Sequence, residues 1–201
     1  MSCTQYHLEL RFWWPTLGQD VQEAVKGCAH CHLANATSHE EQLLLDTFPN
    51  EALFDVVFLD FWKPGDIVDK HGTRMVLTYV DCMTGFTSAA YFGKEVTLEC
   101  ITNICMSDFF AHFGLPRLIV VDADGLFQAT FKQLFAALMI PVIAVSKENH
   151  KAVWNECFHC FLNKVECINS ADSGNLHQWL QGVFFALYAW NAKPMDGMDI
   201  Q

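Results

Sequence analysis

Hydrophobic and polar positions change period along this chain, and the changes mark its elements. The run Phe54-Asp55-Val56-Val57-Phe58-Leu59-Asp60-Phe61, stopped by Lys63-Pro64-Gly65, has the pattern of a buried strand. Arg74 to Asp81 predicts a second strand and Phe86 to Phe92 a third, with Met83-Thr84-Gly85 short enough for a hairpin turn. From Val96 to Phe113 the spacing becomes helical, through Leu98, Ile101, Cys105, Phe109 and Phe113, and Gly114 with Pro116 closes that helix. Leu118 to Val121 is a short β-branched strand ending at Asp122, Phe127 to Met139 a helix, and Val142 to Val145 a fifth strand. Two helices follow, over 150–168 and 173–190. A three-strand meander followed by alternating strands and helices predicts an α/β fold with a mixed five-stranded sheet flanked by helices.

The pattern also divides the chain. Residues 1–40 hold a short aromatic, Cys- and His-rich stretch that runs into a polar bridge from Asn35 to Gln42. Residues 41–201 carry all the sheet-forming segments. There is no internal repeat and no low-complexity tract.

Composition adds three constraints. At 201 residues and 52% hydrophobic, the chain can bury a proper core and is not intrinsically disordered. No apolar run approaches the roughly 20 residues of a membrane span, and Met1 to His7 lacks the regions of a secretory signal, so an intracellular protein of the nucleus or cytoplasm is expected. The net charge of −11 argues against tight autonomous binding to nucleic acid, which needs a basic face. Nine cysteines without a secretory signal read as reduced thiols, with room for a metal site, rather than as a disulfide framework.

Two aspartates stand at strand ends. Asp60 continues an apolar row through Phe54, Val56 and Phe58, where a carboxylate is expensive unless it is paired, hydrogen-bonded or bound to metal. Asp122 directly follows Val120-Val121, at the kind of strand end where α/β sheets place ligands. Either residue alone is better explained as a strand-end turn former. In the helix after His150, the stripe Trp154, Phe158, Phe161, Leu162 and Val165 packs on the sheet. That geometry sets Glu156, with Cys160 and Asn163, on the opposite, outward side.

Four motifs in order resemble the integrases of retroviruses and long-terminal-repeat retrotransposons, most closely the gypsy type. Phe12-Trp13-Trp14-Pro15, then Asp20-Val21, then Cys28-Ala29-His30-Cys31 is similar to the Trp-Pro stretch leading to the zinc-binding cysteine pair. Phe54 to Phe61 resembles the segment of the first catalytic Asp. Gly114-Leu115-Pro116-Arg117 through Asp122 resembles the strand of the second. Asn149-His150, Asn155-Glu156 and Asn163 resemble the helix of the catalytic Glu. The resemblance implies a ribonuclease-H-like catalytic core over 41–201 and a partial zinc-binding module over 1–40.

The resemblance further implies a polynucleotidyl transferase that cuts DNA 3′ ends and transfers strands. Asp60, Asp122 and Glu156 would be its catalytic residues and the ligands of two Mg²⁺ or Mn²⁺ ions. Such ions activate the attacking oxygen and stabilise the leaving one, and hard cations take oxygen donors. The implied partners are retroelement DNA ends, target DNA and further copies of the chain, with no membrane. The family's Asp-x-Gly reads Asp122-Ala123-Asp124-Gly125 here, leaving Asp124 as an alternative to Asp122. Near Glu156, Cys157 and Cys160 stand where relatives often carry arginines, which weakens contacts to DNA phosphates.

Cys28 and Cys31 have structural-zinc spacing, but such a site needs four ligands. The resemblance places the two histidine ligands just before residue 1, so zinc is expected to bind weakly or not at all. Cys157 and Cys160 form a second such pair on a helix; joining it to the first gives four thiolates only across separate units. Cys100 and Cys105 read as helix positions, and the aromatic helix Trp179 to Trp190 as core with a subunit-interface face. The leading expectation is an integrase core with metal-dependent chemistry. The alternative is a decayed or repurposed integrase-like domain acting through protein contacts, motivated by three arginines beside many Cys, Trp and His residues.

Overall fold

The computed structural model describes residues 3–28, 52–65, 67–93, 96–122, 128–145, 157–165 and 179–192. The chain falls into two compact units, one of Met1–Glu40 with Ala192–Gln201 and one of Glu41–Asn191. Among the described residues no helix is long and apolar enough to cross a membrane, and no disulfide joins the cysteines.

The first unit is built on α1 (Cys3–Glu9) and α2 (Leu17–Gly27). The turn between them is tied by Asp20, whose carboxylate accepts the Trp14 indole N–H at 2.6 Å and the Thr16 hydroxyl at 2.9 Å. Leu17 and Val21, one helical turn apart, form its buried side.

The second unit is a five-stranded mixed sheet in the order β3-β2-β1-β4-β5. Its strands are β1 (Val56–Trp62), β2 (Met75–Asp81), β3 (Thr87–Phe92), β4 (Leu118–Asp122) and β5 (Val142–Val145). β1, β2 and β3 pair antiparallel, whereas β4 runs parallel to both β1 and β5. The expected mixed sheet is thus present, with each strand within a residue or two of its sequence boundaries.

One face of the sheet packs on α3 (Leu98–Ile104) and α4 (Gln128–Ala137). Its core takes Val57 and Leu59 from β1, Leu77 and Tyr79 from β2, and Ile119 and Val121 from β4. α3 begins at Thr97, whose hydroxyl accepts the Cys100 N–H, and runs on through a π-helical turn, Cys105–Phe110, and a last turn, Ala111–Phe113. Ile101, Cys105 and Phe109 are all fully buried, yet they recur every four residues. A straight α-helix would rotate each by about 40° from the last. The wider π turn absorbs that drift and keeps all three on the sheet. Gly114 then takes φ +84°, which a side chain strains, and ends the helix as the sequence predicts.

The opposite face carries α5, the helix over 157–165, and α6 (Trp179–Asn191). Trp62, Val76, Phe158, Leu162, Trp179 and Val183 form one apolar cluster there. The expected helix beginning at residue 173 is described from Trp179. At its far end Asn191 reads the backbone of β3, accepting the Thr87 N–H and donating to the Thr87 carbonyl.

Phe54 departs from expectation. It precedes β1, holds φ +59° and stacks on Tyr79 and Phe113, on the α3 side of the sheet. The Asp60 row therefore starts at Val56. Phe54 N–H is held by the fully buried Asp81 carboxylate, which also accepts the Thr84 N–H and hydroxyl and so fixes the β2–β3 turn.

Candidate active site

The α5 face of the sheet is interrupted by a row of polar side chains. Along β1 this face carries Val56 and Phe58, then Asp60, then Trp62; along β2 it carries Val76, then Thr78, then Val80; along β4 it carries Leu118 and Val120, then Asp122. Val56, Phe58, Val80, Leu118 and Val120 belong to one apolar cluster, whereas Trp62 and Val76 belong to another. Asp60, Thr78 and Asp122 lie between the two.

The sheet register brings the two aspartates together. β1 and β4 pair in parallel through Phe58 with Val120 and Leu59 with Val121. Asp60 and Asp122 are the next residue on each strand, so they spring from one face of adjacent strands about 4.8 Å apart. The Asp60 side chain is 28% exposed and Asp122 half-buried, so both carboxylates reach solvent. One Asp60 oxygen, Oδ1, accepts the Phe61 N–H at 2.7 Å.

His159 closes the row from above. Its ring lies over the gap, with Nδ1 3.6 Å from Asp60 Oδ2 and Nε2 3.1 Å from the Thr78 hydroxyl. Thr78 in turn donates that hydroxyl proton to the Asp60 backbone carbonyl, at 3.1 Å. The Thr78 hydroxyl is thus within hydrogen-bond reach of both the Asp60 backbone carbonyl and the His159 ring. Burial pushes the His159 pKa down to about 4 despite the nearby carboxylate, so the imidazole is neutral at pH 7.

α5 is held in this rotation by packing and by one hydrogen bond. Phe158 and Leu162 are fully buried against Trp179 and Trp62, as the predicted stripe requires. Asn163, expected on the outward side, instead accepts the Trp62 indole N–H at 2.9 Å. The stripe is broader than its apolar residues alone suggest, because His159 and Asn163 extend it with polar groups that the sheet satisfies. Cys160 is exposed and Cys157 half-buried.

The other candidates fare differently. Glu156, Asp124 and Cys31 lie outside the described residues, so the third carboxylate, the Asp122 alternative and the second zinc thiolate have no geometry to report. Cys28 follows the last turn of α2. Among the described residues no three His, Cys, Asp or Glu side chains converge on a metal-sized position. The two carboxylates nevertheless suit a hard divalent cation in donor chemistry, being oxygen ligands on one solvent-reached edge. Sequence reading missed His159 and Thr78. Their signal was a lone polar residue inside each apolar row: Thr78 between Val76 and Val80, His159 between Phe158 and Leu162.

Comparison with known proteins agrees with this architecture. The integrase zinc-binding domain model matches residues 1–37. The Pro-Pol polyprotein of simian foamy virus type 3 (strain LK3) is 33% identical over 128 residues, which is 60% of this chain and 10% of the polyprotein. The chain is similar to an integrase zinc-binding domain at its start and to segments of retroviral and retrotransposon polyproteins. The Tf2-3 transposon polyprotein of Schizosaccharomyces pombe is 24% identical over 127 residues, covering 63% of this chain and 9% of the polyprotein. The chain thus spans about a tenth of the length of these relatives. A chain from the simian T-cell lymphotropic virus intasome, solved with PP2A regulatory subunit B56 gamma, superposes with a TM-score of 0.53 at 18% identity. That match covers 93% of this chain and 67% of the other, and it shows a shared, ribonuclease-H-like fold.

Proposed function

We propose that residues 41–201 are an integrase catalytic core that processes DNA 3′ ends and joins them to target DNA with a divalent metal. The observation that carries this reading is the placement of Asp60 and Asp122 at matching register positions of adjacent parallel strands, in the polar gap between two apolar clusters. Glu156 is the proposed third carboxylate, on the resemblance of the motif around it. These residues would hold Mg²⁺ or Mn²⁺, which supplies activation of the attacking oxygen and stabilisation of the leaving one. The chain's own contribution is to fix the carboxylates: Phe61 N–H orients Asp60, and the sheet sets its spacing from Asp122. The partners in this reading are retroelement DNA ends, target DNA and further copies of the chain, with DNA held weakly at a net charge of −11. The same reading places the protein inside the cell, in the nucleus or cytoplasm.

The matching of residues 1–37 to an integrase zinc-binding model supports a zinc-binding module over 1–40, in which Cys28 and Cys31 would supply two of the four ligands. A second reading, a non-catalytic integrase-like domain working through protein contacts, is favoured by Cys160, exposed on α5 where a phosphate-binding arginine would serve DNA. Nicking of supercoiled plasmid in Mg²⁺ or Mn²⁺ separates the two. Nicking that Asp60→Asn and Asp122→Asn each abolish supports the enzyme. Equal background in all three proteins would sink it.

A further inference from the structure

We propose that Asp55 and Arg117 are the positioning pair of this site: their ion pair sets the register of β4 on β1 and so holds the Asp122 carboxylate beside that of Asp60. The inference rests on the reading of Asp60 and Asp122 as the site and adds to it the device that brings them level.

The two pairs share one spacing. Four apolar residues separate Asp55 from Asp60, and four separate Arg117 from Asp122. In the parallel pairing Val56 stands against Leu118 and Leu59 against Val121. Asp55 is therefore level with Arg117 one step before the paired stretch, and Asp60 with Asp122 one step after it. A register set at the entry is carried unchanged to the site.

The entry is joined through both side chain and backbone. The Arg117 guanidinium meets the Asp55 carboxylate as a fork, with Nε donating to Oδ1 at 3.2 Å and Nη2 to Oδ2 at 3.0 Å. The Asp55 backbone carbonyl accepts the Arg117 N–H at 2.8 Å and the Leu118 N–H at 3.1 Å. A forked guanidinium–carboxylate contact is directional, as a point-charge ammonium is not. Because the Arg117 side chain is 57% exposed, the pair adds little stability, and position is what it supplies.

The strands in between carry little register information of their own. Val56 to Leu59 and Leu118 to Val121 are all buried, so both faces of the sheet are apolar here. A one-residue slip of β4 would exchange apolar for apolar, and the hydrophobic pattern opposes it far less than in a strand with one wet face. That slip would turn Asp122 to the α3 side of the sheet. A two-residue slip would carry it about 6.6 Å along β1. Either separates the two carboxylates.

Arg117→Gln in the whole chain tests the assignment, since a change at a largely exposed side chain spares the core. Cross-strand NOEs between β1 and β4 read the register, and Mn²⁺-dependent nicking of supercoiled plasmid reads the site. In Arg117→Gln the NOEs linking Leu59 to Val121 should weaken or be joined by a second, displaced set. Nicking should fall on the order of a hundredfold. The reversed pair, Asp55→Arg with Arg117→Asp, should recover both. Five residues of strand put Arg117 about 16 Å from Asp122, beyond the screening length at about 0.15 M salt, so loss of its charge alone does not produce that fall. Wild-type NOEs in Arg117→Gln would overturn the positioning role whatever nicking does, and displaced NOEs with undiminished nicking would overturn it too. Nicking by the wild-type chain that Asp60→Asn leaves unchanged would instead overturn the reading of the site on which the pair's role rests.

Discussion

The Trp62 indole donates its N–H to the side-chain carbonyl of Asn163 at 2.9 Å, joining β1 to α5 across 101 residues of chain. Asn163 lies one helical turn beyond His159, so this bond fixes the rotation that brings the imidazole over Asp60. Asn163→Leu should leave the largely buried Trp62 N–H without its acceptor and cost about 1–3 kcal/mol. Denaturant unfolding measures the loss. Asn163→Leu with unchanged stability would show that helix packing alone sets the rotation.

Asp81 offers a sharper test of the turn. Its buried carboxylate holds Phe54 N–H, Thr84 N–H and the Thr84 hydroxyl at once. Asp81→Ala would strand the two backbone donors and release the Phe54 backbone from φ +59°. The expected destabilisation is about 3 kcal/mol, with faster amide exchange at residues 54 and 84. Slow exchange at those amides in the variant would contradict the role given to Asp81.

Phe158 should be the costliest truncation in α5. It is fully buried, meets Trp190 edge-on at 5.5 Å and sits in the cluster with Trp62 and Trp179. Phe158→Ala should cost about 3–5 kcal/mol by leaving a cavity. Exposed Cys160, two residues on, should tolerate Ser within about 0.5 kcal/mol. Thermal melts of the two variants, read together, distinguish a packed α5 from a loosely docked one.

Acid should destabilise the fold through His159. Burial lowers its pKa from 6.5 to about 4, so the unfolded chain takes up a proton at a pH where the folded chain does not. Stability from this group is complete above pH 6.5 and is lost progressively as pH falls toward 4, by on the order of 3 kcal/mol in the limit. Melting temperature against pH checks this. His159→Gln should flatten the slope between pH 6.5 and 4, and an identical slope would contradict a buried neutral imidazole.

Much of this arrangement was legible in the chain's periodicities. The apolar runs around Val57, Leu77, Ile119 and Ile143 located four of the strands, because buried strands need β-branched and aromatic continuity whatever their partners. The two aspartates were visible as carboxylates at the ends of such runs. Strand order was not legible from those runs, and it is what turns Asp60 and Asp122 into neighbours. Phe54 was misplaced because alternation assumes an unbroken strand, whereas Asp81 holds that residue in a left-handed conformation from outside. Asn163 was misread for a related reason: helical patterning counts apolar residues, and a polar residue facing a tryptophan N–H is invisible to it. His159 and Thr78 escaped because each is unremarkable until strand pairing and helix docking put them in contact.

The central claim is that Asp60 and Asp122 act as one cation site. Isothermal titration of Mn²⁺ into the wild-type chain, Asp60→Asn, Asp122→Asn and the double variant tests it most directly. A shared site predicts that either single substitution removes most of the affinity and that the double variant loses little more. Losses that simply add, or wild-type affinity retained in both single variants, would contradict it.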